Sequence, residues 1–219
     1  LAFDGSVRAG VDNRTGTLLL DPKSITIKIN CGDGFSSSHE CQGLSRMAWD
    51  KKWANDVSIT PSTITAALDA GTAVTLQAGR DIVVSSAIEA NNTSGNGGDL
   101  SLKAGRRIKI DSNITIDTDN GDLTLTANDC TGTSNCNTGN NRRGSGTGYI
   151  LMNSGSSIDT GTGDFTATVG TQVTTAANYI TLTTVTANDL TVTNNSTSAD
   201  SDVNLGALTT VNIVDGDGN

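Results

Sequence analysis

The chain has 219 residues, 35% hydrophobic and only 3% aromatic, with 25 glycines, two prolines and a formal net charge of −9. So little aromatic mass argues against a compact α/β domain, and so few prolines argue against a polyproline linker. The negative charge, with a pI near 4.4, argues against nucleic acid and anionic membrane surfaces as partners, since both demand clustered Lys and Arg. No apolar run approaches ~18 residues, so no transmembrane helix is predicted. The N-terminal LAFDGSVRAG lacks the charged and apolar regions of a signal peptide. Strand-and-turn sequence at both ends is expected of a piece cut from a longer mature protein.

In chain order, Ser6–Ala9, Leu18–Leu20 and Ile25–Ile29 read as strands. Pro22, between the last two, fixes φ and cannot donate to a ladder, so it marks a corner. Asn30–Leu44 has no usable period and holds Cys31 and Cys41, which opens an excursion spanning 30–72. Within it, Arg46–Ala54 suits a helical turn or two, which would set Trp49 and Trp53 on one face. A short helix is predicted over 62–70. It starts at a capping Ser62 or Thr63, presents Ile64, Ala67 and Leu68 at i, i+3 and i+4, and stops at Gly71.

Ala73–Ala127 is the regular body. Val74, Leu76, Ile82 and Val84 are answered by Leu100, Leu102, Ile108 and Ile110, and Ala78-Gly79-Arg80 by Ala104-Gly105-Arg106. A third copy starts at Leu123. Alternation at period two predicts half-buried strands, and a repeat of 20–30 residues predicts a stacked solenoid. A polar second excursion, 128–148, holds Cys130, Cys136, Arg142 and Arg143. Strand sequence resumes at Tyr149–Met152, Ser157–Asp159, Asp164–Val169, Tyr179–Leu182, Asp189–Val192, Val203–Leu205 and Val211–Val214. A hairpin-built sandwich would show turns every 8–12 residues but no long-range period. The predicted fold is therefore all-β, a single-stranded parallel β-helix with three short strands per coil. Eight or nine coils at about 4.8 Å each would make a rod on the order of 40 Å long.

Each cysteine pair sits in its own Gly/Ser/Asn-rich loop, which favours the local pairings Cys31–Cys41 and Cys130–Cys136 among the three possible connectivities. Such disulfides would suit an oxidising compartment. A zinc site is disfavoured, since CxxC is absent and His39 is the single histidine.

Gly16-Thr17-Leu18-Leu19-Leu20-Asp21-Pro22-Lys23-Ser24-Ile25-Thr26-Ile27 resembles the G-x-LLLDP-x-x-ITI signature of large two-partner-secreted exoproteins, the filamentous-haemagglutinin-like and high-molecular-weight-type adhesins. The run from Ile64 to Ile82 resembles their I-x-x-AL-x-x-G-x-x-VTL-x-AG-x-DI passage, and Gly97–Leu100 and Asn120–Leu125 resemble their rung pattern. The resemblance covers residues 1–128 well and the rest loosely. It implies a right-handed parallel β-helix, exported through an outer-membrane transporter partner and secreted from, or displayed on, a Gram-negative cell. Their secretion domain, with its Asn-Pro motifs, is not matched, so the expectation is a downstream stalk or adhesive segment involved in virulence.

The function expected is non-enzymatic: a rigid rod whose loops attach to a host-cell or neighbouring-cell receptor, without cofactor or metal. Trp49 and Trp53 are candidate contact residues, because large rings anchor interfaces and stack on sugars; the plainer reading has them covering apolar rungs. Arg142 and Arg143 could meet acidic glycans, or simply be solvated. The sequons at Asn91, Asn92, Asn194 and Asn195 lie in loops where a glycan would fit, whereas Asn113 borders a strand. Asp117–Asp122 resembles a calcium loop in part, but its glycine falls one position early and no distal Glu follows. A polysaccharide-active β-helix enzyme is the alternative. It would need two carboxylates flanking a sugar bond, from among Asp99, Asp117, Asp119 and Asp122, yet Asp is ordinary corner chemistry. Arg107-Ile108-Lys109 is similar to the Arg-Ile-Lys of polygalacturonases, without their other motifs. A pure structural spacer is the third reading.

Overall fold

The computed structural model describes residues 17–20, 23–29, 56–93, 97–129, 143, 145–171, 177–196 and 201–215; for 17–20 and 209–215 it describes the backbone path alone. Fifteen strands and one helix follow in the order β1 (Thr17–Leu20), β2 (Ile25–Ile27), β3 (Val57–Ile59), α1 (Pro61–Leu68), β4 (Ala73–Ala78), β5 (Asp81–Val84), β6 (Ile88–Glu89), β7 (Leu100–Ala104), β8 (Arg107–Ile110), β9 (Thr115–Asp117), β10 (Leu123–Ala127), β11 (Tyr149–Met152), β12 (Ser157–Asp159), β13 (Phe165–Val169), β14 (Tyr179–Asn194) and β15 (Asp202–Asp215). Among the described residues every pairing is parallel, and strands consecutive in sequence pair only at β2 with β3 and at β14 with β13 and β15. The predicted all-β parallel β-helix is the fold.

Three ladders run along it. The first stacks β1, β4, β7, β10, β13, the last third of β14 and the end of β15. The second stacks β3, β2, β5, β8, β11 and the starts of β14 and β15. The third stacks β6, β9, β12 and the middles of β14 and β15. The first and second ladders each stack seven strands, which span about 30 Å at 4.8 Å per step.

The core is a set of columns fixed by the period-two pattern. Val74, Leu100, Leu123, Phe165 and Leu190 stack in register, as do Ile25, Ile82, Ile108, Ile150 and Ile180, and all are buried. Like stacked on like fills a thin cross-section with aliphatic chains, which is why so few aromatics suffice. Corners demand tight backbone. A Cβ on Gly98 would lie 2.2 Å from the Thr72 carbonyl oxygen, and one on Gly121 would lie 2.4 Å from that of Gly98. Asn113, Asp119, Asn120 and Asn128 turn other corners with positive φ, which short polar side chains tolerate.

Residues 56–72 of the first excursion hold a strand that the sequence does not predict. β3 returns to the outer edge of β2, with Lys28 N donating to the Ile59 carbonyl and Val57 N to that of Ser24. Helix α1 runs Pro61–Leu68 instead of 62–70. Thr60 holds the N-cap position in extended conformation without a side-chain cap bond, and Pro61 sits in the first turn, where its missing N–H costs nothing. The helix ends at Leu68, with Asp69 at the C-cap, and Gly71, with φ of 68°, lies in the turn that follows. The helix buries Ile64, Ala67 and Leu68 beside β4 and β6, so it occupies the third face where the first coil lacks a strand. Ile29, expected to extend β2, is 69% exposed. At the other end, β14 and β15 remain extended through their corners, which adds third-face residues such as Val185 that the sequence pattern does not reveal.

Candidate functional site

The corner between the first and second ladders gathers the densest chemistry among the described residues. In register along the second ladder, Asp81 lies beside Arg107, Arg107 beside Tyr149, and Tyr149 beside Tyr179. One position earlier, Arg106 N donates to the Arg80 carbonyl, and Arg80 N to that of Lys23, so three basic residues stack on successive layers. The matched Ala-Gly-Arg segments of the repeat place Arg80 and Arg106 there.

Asp81 is buried, and Arg106 holds both its oxygens, Nε to Oδ1 at 2.8 Å and Nη2 to Oδ2 at 2.5 Å. That two-pronged bond raises the Arg106 guanidinium above its ordinary value against the opposing effect of burial. Arg80 and Arg107 reach the same carboxylate less well. Their Nε atoms lie 3.9 and 3.3 Å from Oδ2, and both atoms are buried without a hydrogen-bond acceptor. Each side chain is still 37% exposed. Arg107 also donates to the Tyr149 hydroxyl at 3.0 Å and lies 5.5 Å from its ring centre. Tyr149 and Tyr179 stack 4.8 Å apart, and burial pushes the Tyr179 hydroxyl up.

The end of the second excursion closes over this corner. Arg143 is buried, bonding Asn128 Oδ1 through Nε and Nη2 and the Gly146 carbonyl through Nη1. Burial, then the nearby Arg106 charge, lowers its guanidinium. Arg106 donates to the Ser145 carbonyl. Arg143 is therefore a clamp that pins the loop to the rod, not a solvated loop residue or an outward contact. Cys31, Cys41, Cys130, Cys136, Trp49, Trp53 and Arg142 lie outside the described residues, as does His39.

The sequons separate by exposure and bonding. Asn91 and Asn195 are exposed, whereas Asn92 Nδ2 donates to the Asp69 carbonyl, and Asn194 Nδ2 to those of Asn178 and Asp202. The carboxylates occupy two columns. Glu89, Asp117 and Asp159 are in register on the third ladder, while Asp99, Asp122 and Asp164 border the start of the first. Asp117 and Asp159 each accept a bond from the backbone N–H two residues on, at Asp119 and Gly161. That is turn chemistry. Burial, with Asp159, Asp119 and Glu89 adding to it, pushes the Asp117 carboxyl up. Among the described residues no group of three or more His, Cys, Asp or Glu is placed to hold a metal ion, and no helix is long and apolar enough to cross a membrane.

Sequence reasoning names Arg143 but passes over Arg80, Asp81, Arg106 and the two tyrosines as binding candidates. A signal existed, since Arg80 and Arg106 hold the same place in two repeats and a charge recurring there must stack. The class defined by this structure is the parallel β-helix, with one charged and aromatic corner beside a loop. No family model, curated protein or solved structure matches the chain.

Proposed function

We propose that the chain is a non-enzymatic attachment rod, a segment of a bacterial surface or secreted adhesin of the two-partner-secreted type that presents loops to receptors on host or neighbouring cells. The observation that carries this reading is the way the second excursion leaves the rod. It departs at Asn128 and returns at Gly148 while the ladders on either side keep register, Leu123 with Phe165 and Arg107 with Tyr149. A scaffold undisturbed by an insertion is suited to displaying it. The first ladder supports the same view, with Thr124, Thr166 and Thr191 forming an outward row and Thr126, Thr168 and Thr193 a second.

In this reading the outer-membrane transporter is a partner during export, and the cysteine pairs close the loops in an oxidising environment. Asn91 and Asn195 are the sequons whose amides are open to a glycan. The test is binding of the purified chain to a glycan array and to cultured cells, run beside a panel of acidic polysaccharides as substrates. Saturable binding without turnover is expected. Steady release of sugar products would transfer the chain to the enzyme class, with the Glu89, Asp117 and Asp159 column as first suspect.

A further inference from the structure

We propose that these rods associate side by side, the basic corner of one copy seating against the acidic column of the next. Three guanidinium groups converge on a single carboxylate, Asp81, and Arg106 takes both its oxygens. Arg80 and Arg107 stand farther from it, and each side chain stays 37% exposed. A carboxylate from outside can meet the solvent-open part of these guanidinium groups, because guanidinium recognises carboxylate through charge-assisted bonds. Tyr149 is covered by Arg107 on one side and Tyr179 on the other, which leaves its ring no open face for stacking on a sugar. That favours a protein carboxylate.

The chain carries a matching surface. Asp99, Asp122 and Asp164 are exposed on successive layers at the opposite border of the first ladder. Asp122 N donates to Asp99 Oδ1 and Asp164 N to Asp122 Oδ1, so the carboxylates are held in line. No lysine or arginine among the described residues pairs with them. Arg80 and Arg107 lie on successive layers, offset by one position along the chain, and Asp122 and Asp164 lie on successive layers too, so two arginines can meet two aspartates across one layer step of about 4.8 Å. Repulsion from the net charge is screened beyond roughly 8 Å at physiological salt, whereas contact pairs act inside that range. Because the two patches differ, the contact is heterologous, and each added copy brings one patch of each kind for the next. It stands apart from the display reading, since rods could pair without binding a receptor and the reverse.

Sedimentation of the purified chain over rising concentration tests this. The average mass should climb past twice the 22.4 kDa monomer. R80Q/R107Q and D122N/D164N should each remain monomeric, while their mixture should form a one-to-one pair that grows no further. Circular dichroism checks folding. Should R80Q/R107Q lose its sheet signal, D122N/D164N, changed only on the exposed column, carries the test alone. A native chain monomeric at every concentration, mass growth that survives D122N/D164N, or a monomer whose arginines instead take up an anionic glycan would overturn the proposal.

Discussion

Asp117 and Asp111 show how position on a coil decides what a carboxylate does. Burial pushes both up, but at Asp111 the bonds from Lys109 and Ser85 outweigh it and the group ends below its ordinary value. At Asp117 burial and the neighbouring acids prevail. The signs of the resulting pH dependence are opposite. Asp111 adds stability above the unfolded value of 3.8, which is lost as pH falls through its lower folded value. Asp117 costs stability once pH rises from 3.8 through its raised folded value. D117N should therefore raise the melting temperature at pH 7 and leave it nearly unchanged at pH 3, measured by thermal circular dichroism. An equal effect at both values would refute the assignment. At the corner, R106A would leave Asp81 buried with poorer partners, and such losses cost ~3–5 kcal/mol. Urea unfolding should show a marked fall in midpoint, larger than for the half-exposed R80A.

At the level of elements, stability resides in the stacked columns. Phe165 is fully buried between Leu123 and Leu190. F165L, which matches its neighbours, should cost less than ~1.5 kcal/mol, while F165A should cost ~3–5 kcal/mol by opening a cavity. Chemical denaturation distinguishes the two, and similar losses would contradict the column account. The columns were also the legible part of the sequence, because alternation specifies which face of each strand is buried and the offset specifies what stacks on what. Less legible were elements that break the alternation. β3 falls within the 30–72 excursion, where the sequence predicts no strand, and its place is set by the edge of β2, a contact remote in sequence. The middle of β14 was hidden because Thr183 and Asn188 turn its corners without a glycine signal. The site was legible only in part. Arg143 stood out as a charge in a loop, yet its burial depends on Asn128, whose positive φ carries the chain out of the rod.

Across the whole molecule, the buried side chains form one continuous core from Ile25 to Leu190, which takes in Ile59 of β3 and Ile64, Ala67 and Leu68 of α1. The rod should tolerate loss of the second excursion. Elsewhere the same corner takes two residues, as in Ala104-Gly105-Arg106-Arg107, and joining Asn128 to Gly148 would recreate it as Ala127-Asn128-Gly148-Tyr149. The cut removes residues 129–147 and returns the layer offset from 42 to 23, the value between Asp99 and Asp122. The most direct test of the display account is cell and glycan binding by this shortened rod beside the intact chain. The account predicts a folded rod with a similar melting temperature and at least tenfold weaker binding. Undiminished binding by a folded, shortened rod would contradict it and move recognition elsewhere on the coil.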